Sequence, residues 1–253
     1  MLINQGAPRD WLDLQKQVHQ ILDECGFESE IEKVIQTVRG RVSIDVYARD
    51  PESQPPTIFL CECKHWQSRV PQTVVHALRT VVTDHGANWG FIVSSAGFQS
   101  GAYVAAANSN VKLLTWSELQ GLFSERWVEK YMLPRLERET LPLVEYTEEV
   151  NSRIFRKADR LSEASQKRFV ELRRRWQDLG FLSQHLFVGL QLFEDRLPQL
   201  PLRVPDQPGE SIRRQNLPDR VLDATCLRDF TNDICDAARE GIAEFDQVFG
   251  ERA

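Results

Sequence analysis

The sequence predicts an α/β domain, a central mixed sheet flanked by helices, followed by a mostly helical C-terminal region. Three observations predict it. Over the first half, the apolar patterns read helix, strands, helix, strand, helix, strand, helix. The run Ile58-Phe59-Leu60-Cys61-Glu62-Cys63-Lys64 is rich in strand formers, follows the turn-prone Pro51–Pro56 segment, and reads as a central strand. Beyond about Pro134 the apolar spacing is helical only. The predicted division is therefore 1–133 and 134–253.

Asp10–Cys25 reads as a helix. Asp10 can cap it, Trp11, Leu14, Val18, Ile21, Leu22 and Cys25 fall on one face, and Gly26 ends it. Phe27–Thr37 reads as a strand or an irregular extended stretch, with Ile31, Val34 and Ile35 as inward positions. Arg39-Gly40-Arg41 turns the chain into an acidic strand, Val42–Ala48, carrying Asp45. Arg49–Thr57 holds three prolines and two acids and reads as a loop before the central strand. Ser68–Pro71 leads into a helix with Val74, Val75, Leu78, Val81 and Val82 on its apolar face and Gly86 at its end. Trp89–Val93 is a short strand, Phe98–Ala107 a helix after the turn Ser94-Ser95-Ala96-Gly97, and Val111–Leu114 the next strand. Ser117 is the expected cap of a helix over Glu118–Tyr131. In the second region, Glu145–Leu179 reads as one long helix or two, and Gly180–Phe193 as a more apolar helix. Arg196–Pro218, with five prolines, reads as a linker or surface loop, and Val221–Phe249 as a final helix.

Composition narrows the function classes. The chain has 253 residues, 42% hydrophobic and 27% charged, with a formal charge of −6. That argues against a protein that coats nucleic acid nonspecifically, while leaving room for a local basic groove. The five cysteines form no C-x-x-C pair and are odd in number, so zinc-ligand spacing and a disulfide framework are both disfavoured. They read as small buried hydrophobes. His19, His76, His85 and His185 share no spacing that suits a zinc site or a triad. No apolar run reaches membrane length, and Met1–Asp10 lacks a signal pattern, so the expected location is cytoplasmic with no membrane partner.

The chemistry concentrates on the central strand. Side chains alternate along a strand, so Glu62 and Lys64 emerge on one face. If the two acidic strands form a hairpin, Asp45 sits beside Glu62. Two carboxylates and a lysine at one sheet edge suit metal-assisted hydrolysis. Hard oxygens hold Mg²⁺, and the lysine orients or deprotonates a water. The plain alternative is a surface hairpin with a salt bridge.

With these residues placed, the first half resembles the PD-(D/E)xK nuclease superfamily, and within it the Mrr-type restriction endonucleases. The resemblance runs from about Trp11 to Phe123. It rests on the leading helix ending in Cys25-Gly26-Phe27, on Ser43-Ile44-Asp45-Val46, and on Cys61-Glu62-Cys63-Lys64. It continues through Ala87-Asn88-Trp89-Gly90-Phe91-Ile92-Val93-Ser94-Ser95, the Phe98–Ala107 helix and Leu113–Leu119. It implies a restriction-endonuclease-like fold for 1–133 and Mg²⁺-dependent, or Mn²⁺-dependent, cleavage of phosphodiester bonds in DNA. By resemblance, Asp45 and Glu62 are metal ligands, the backbone carbonyl of Cys63 is a third, and Lys64 orients the water. Many members carry a glutamate on the first helix; the nearest position here is Gln15, which brings no charge. Many Mrr-type members have glutamine where Glu62 stands, so the metal site here is the stronger at that position. The resemblance also points to bacterial restriction or phage defence.

Further DNA contacts are expected at His65, Gln67 and Arg69, which follow the lysine, at Arg79 on the next helix, and at Ser95 at a strand end. For each the plain alternative is a solvated loop, an exposed charge or a helix cap. Trp66 is a candidate to stack on a base or to cover the sheet edge. Arg153, Arg156, Lys157, Arg160, Lys167, Arg168 and Arg173-Arg174-Arg175 give the second region a basic side that grips DNA or a partner, or is an ordinary solvated helix face. Residues 134–253 are expected to serve recognition, partner binding or homo-oligomerisation, because cutting both strands needs two active sites. Two other readings stand beside the DNA endonuclease: a catalytically inactive nuclease fold that binds DNA or protein, which Gln15 permits, and a ribonuclease or structure-specific nuclease using the same site.

Overall fold

The computed structural model of the chain describes residues 2–190, 197, 199–203 and 215–250. They divide into two units, Gly6–Lys130 and Tyr131 onward, the second joined by Ile3–Gln5.

In the first unit, α1 (Trp11–Glu24) starts where Asp10 accepts the Asp13 N–H at 2.8 Å. It ends before Gly26, whose φ of 82° is the left-handed conformation that a glycine adopts without a Cβ penalty. Five strands follow in one sheet of order β1 (Glu28–Thr37), β2 (Gly40–Asp50), β3 (Thr57–Lys64), β4 (Trp89–Ser94) and β5 (Val111–Thr115). The first three are antiparallel neighbours, and β3, β4 and β5 are parallel. The parallel pairs need crossovers, which α2 (Gln72–His85) and α3 (Ser100–Ala106) supply. The sheet is thus mixed, as its sequence implies.

Each face of the sheet has its own core. Leu60 and Ile92 pack with Val75, Leu78 and Val82 of α2 on one face. On the other, Phe27, Phe59, Phe91 and Phe123 form a ring cluster with centroids 5.4–6.1 Å apart, Phe123 coming from α4 (Trp116–Trp127). Edge-on ring contacts of this kind add about 0.5–1.5 kcal/mol per pair beyond area burial.

Three local expectations change. Val34 is 62% exposed, not inward, because Ile31, Lys33, Ile35 and Thr37 take the other side of the strand. The cap of α4 is Thr115, not Ser117. Thr115 has the extended backbone a cap needs and forms a capping box with Glu118, while the Ser117 hydroxyl only meets that of Thr115. Trp11, at the first helical position, is 54% exposed rather than on the buried face.

In the second unit, α5 (Leu133–Thr147), α7 (Glu163–Gln184) and α9 (Leu227–Phe249) pack together, with α6 (Ser152–Ala158) and α8 (Asp219–Asp223) shorter. Gly241 permits the approach of α9, since a Cβ there would meet Leu143 at 2.9 Å and Trp176 at 3.0 Å. Tyr146 stacks on Phe245 at 4.7 Å and donates to Asp246 at 2.6 Å. The Glu145–Leu179 stretch therefore spans parts of three helices. The apolar pattern from Gly180 continues α7 and then a π-turn, His185–Gly189. Its last residues, 191–193, and most of the Arg196–Pro218 loop lie outside the described residues. The final helix is broken at Ala224–Cys226.

Candidate active site

The site is built where β2 and β3 part. Their ladder runs from Asp50↔Thr57 to Val46↔Cys61, and the next residues along it are Asp45 and Glu62. Ile44 and Tyr47 both pack on the α2 face, an odd separation that strict alternation does not give. The strand therefore turns over around Asp45. Opposite, Glu32 has φ 52°, while Ile31↔Val46 and Lys33↔Ile44 keep register on either side. Strain of this sort persists only where the surroundings hold it.

The turn-over frees the Asp45 carboxylate from the ladder. Its Oδ2 accepts the backbone N–H of Cys63 at 2.7 Å. Glu62 and Lys64 share a face, and Lys64 Nζ pairs with Glu62 Oε1. Burial pushes the Glu62 carboxyl above its ordinary value; Lys64 opposes that shift and the Asp45 charge adds to it. A cation bound beside the half-buried Glu62 would offset part of that desolvation. Glu62 and Lys64 open into a groove of about 450 Å³ walled by Val42–Ile44 of β2, Trp66, and Thr73, Val74, Ala77, Leu78 and Val81 of α2. Lys64 Nζ stands 5.5 Å from the Trp66 ring centroid.

Of the other expected site residues, Gln15 is buried on α1 with its Oε1 unpaired. The Cys63 thiol is buried and pushed well above its ordinary value by desolvation, so only the backbone of that residue is chemically available. Gln67 and Arg69 are exposed in the loop after β3. His65 is turned inward, Nε2 to the Pro8 carbonyl at 3.0 Å. Ser95 spends its N–H on the Lys64 carbonyl at 3.1 Å, and its hydroxyl lies 3.2 Å from the Trp66 carbonyl, so it braces the end of β3. Arg79 lies on the side of α2 away from Ala77 and donates to the Ala105 carbonyl at 2.9 Å, outside the groove. The α2 wall of Thr73 and Ala77 was not foreseen. Its signal was two small residues four apart between the apolar positions of that helix.

A hard dication would find two carboxylates and backbone oxygen here. Among the described residues no three His, Cys, Asp or Glu side chains converge. Such a sparse set suits Mg²⁺, which keeps several of its own waters. In the second unit several of the basic candidates have partners on the protein: Arg153 pairs with Glu145, Arg168 with Glu171, Arg175 with Glu244, and Arg173 donates to the Thr147 and Glu148 carbonyls.

Residues 9–123 match the model of a family described as restriction endonuclease, of the Mrr catalytic type. No curated protein matches the chain. Two solved structures are similar. One, described as a protein of unknown function AF1548, is 18% identical over 94% of this chain and 98% of its own, with a TM-score of 0.37. The other, the DNA modification-dependent restriction endonuclease AspBHI, is 16% identical over 49% of this chain and 40% of its own, with a TM-score of 0.29. At those scores neither carries an argument here. Among the described residues no helix is long and apolar enough to cross a membrane.

Proposed function

From the Mrr-type restriction-endonuclease domain that residues 9–123 form, we propose that the chain is a divalent-metal-dependent endonuclease acting on DNA. What supports the reading is one juxtaposition: Asp45, held by the Cys63 N–H, and the Glu62–Lys64 pair lie together where β2 and β3 part, beside an open groove. Asp45, Glu62 and the Cys63 carbonyl are the groups that would hold Mg²⁺, or Mn²⁺ in its place. The ion would supply Lewis acidity at the scissile phosphate. Asp45 and Glu62 supply negative charge that a dication offsets. Lys64 presents ammonium protons to a water or a phosphate oxygen, and its ion pair orients Glu62. Gln67 and Arg69 are exposed for phosphate contact. His65, Ser95 and Arg79 act by bracing the fold. The helical second unit is the proposed accessory region for 134–253, binding a partner or a second copy so that two sites can cut two strands. A cytoplasmic role in restriction or phage defence is the biological setting this reading favours.

Supercoiled plasmid with Mg²⁺, beside Lys64→Ala, tests the reading. Nicking or linearisation is expected, and the variant lacks it. Equal cutting by both proteins, or none with any divalent ion, overturns the site. A labelled RNA of the same sequence decides between DNA and RNA. The second reading, a nuclease fold that binds without cutting, is favoured by one observation: Gln15, at the α1 position where the resemblance implies a glutamate, is uncharged.

A further inference from the structure

The groove is chemically unlike a track for duplex phosphates. Proteins that hold a duplex by its backbone line the contact with lysine and arginine. Among the described residues, this lining holds one cation, Lys64, and Glu62 already pairs with it. Most of the wall is aliphatic: Val42, Ile44, Val74, Ala77, Leu78 and Val81. At the rim stands Trp66, 41% exposed, its backbone held by the Ser95 hydroxyl. A volume of about 450 Å³ suits one nucleoside, being within the range of about 300–1,000 Å³ typical of small-molecule sites. An apolar slot with one aromatic face matches a flat base better than a phosphate backbone.

We propose that this groove takes the base of an unpaired nucleotide next to the scissile bond, with Trp66 stacking on it and Ala77 leaving the space for it. The substrate class is then nucleic acid carrying an unstacked base: a bulge, a mismatch, a single strand or a nucleotide extruded from the duplex. Extrusion is least costly where pairing is already absent. The proposal rests on the nuclease reading for where the phosphate lies, but its binding test does not need cleavage.

The test uses the full chain and three fluorescein-labelled duplexes in Ca²⁺: fully paired, with a one-base bulge, and with an abasic bulge that keeps the sugar and phosphate. Anisotropy should give the base-bearing bulge about tenfold tighter binding or more over the abasic one, the size of one base–aromatic stack. Trp66→Ala and the slot-filling Ala77→Phe should remove that difference, and Trp66→Phe should keep most of it. Ala77 is exposed, so its enlargement does not threaten folding. Equal binding of the base-bearing and abasic bulges, or a difference that survives both variants, overturns the proposal. In Mg²⁺, the bulged duplex should be cut about tenfold faster than the paired one, following the same stacking gain. Cutting of both at one rate sinks the slot and leaves the nuclease standing. Preferential binding without any cutting leaves the slot and sinks the nuclease.

Discussion

The Asp45 carboxylate accepts the backbone N–H of Cys63 at 2.7 Å, across the strand boundary where β2 leaves the ladder. One oxygen thereby serves the fold and the other remains for a ligand. Asp45→Asn keeps an acceptor for Cys63 but loses the charge. The expected outcome is unchanged thermal stability, within about 0.5 kcal/mol as for a site whose contacts are kept, and plasmid cleavage lowered by a hundredfold or so. Asp45→Ala should lose both. A stable Asp45→Asn that cuts at the normal rate would remove Asp45 from the metal site.

A second pairing bears on stability. Arg126 of α4 makes a two-pronged contact with Asp50 at 2.6 and 2.9 Å, donates to the Cys25 carbonyl at 2.8 Å, and stacks on Phe27 at 4.1 Å. It ties the ends of β2 and α1 to α4. The Arg126 hydrogen bonds hold the Asp50 carboxyl below its ordinary value, against a smaller opposing effect of burial. A group depressed in the folded state stabilises above its unfolded pKa, and that stability is lost as pH falls through the folded one. Asp50→Asn should therefore cost roughly 1.5–3 kcal/mol at neutral pH, the range for hydrogen bonds to a charged group. The deficit should shrink below about pH 4, where the unfolded aspartate protonates. Urea midpoints of the two proteins across pH 3–7 read it directly; a constant gap contradicts the pairing.

These two contacts show which features could be read in advance. That Glu62 and Lys64 share a face follows from the two-residue period of a strand and needs only local sequence. The caps at Asp10, Gly26 and Gly86 were local for the same reason. Asp45 reaching Cys63 depends on β2 turning over opposite a left-handed Glu32, a property of two strands in register. Arg126 and Asp50 lie 76 residues apart, so no window contains both. Thr115 was legible as a Thr-x-x-Glu box, but Ser117 offered a competing cap. The break at Ala224–Cys226 is hidden because Leu222, Cys226 and Phe230 keep a four-residue apolar spacing across it.

The cysteines give a third prediction. All five are buried. Desolvation pushes the thiols of Cys25, Cys61 and Cys235 up to about 12, and those of Cys63 and Cys226 upward as well. The thiolate is the reactive form, so native protein at mildly alkaline pH should give almost no colour with Ellman's reagent. In guanidinium all five should react. A fast native thiol would place a cysteine at the surface.

Gly90 of β4 sits under α2, and a Cβ there would lie 2.8 Å from Val82, 3.1 Å from Val111 and 3.2 Å from Leu78. All three neighbours are buried, so they can give little. Gly90→Ala should cost about 1–3 kcal/mol by overpacking. It should also displace α2, which walls the groove, and so slow cleavage beyond what the lost stability explains. A melting temperature equal to that of the natural protein would show that the helix yields freely.

Gln15 carries the last prediction, because fold and function pull on it in opposite directions. It is 3% exposed, and its Oε1 has no hydrogen-bond partner, an arrangement that costs about 1–3 kcal/mol. Methionine has nearly the same shape and no carbonyl to satisfy. If the carbonyl is there only by accident, Gln15→Met raises stability and leaves cleavage alone. If it serves a water around the metal, the role the family resemblance implies for this position, the variant is more stable but needs more Mg²⁺ to reach half its maximal rate. The expected result is the second: a gain of about 1 kcal/mol in urea unfolding without metal, with a Mg²⁺ midpoint raised by roughly tenfold, the lower end for an outer-shell metal contact. Gln15→Glu separates charge from geometry. It should lower the Mg²⁺ midpoint below that of the natural protein while losing stability in the absence of metal, since a buried carboxylate is left uncompensated there. A Mg²⁺ midpoint that moves in neither variant would detach α1 from the chemistry and remove Gln15 from the proposed metal site.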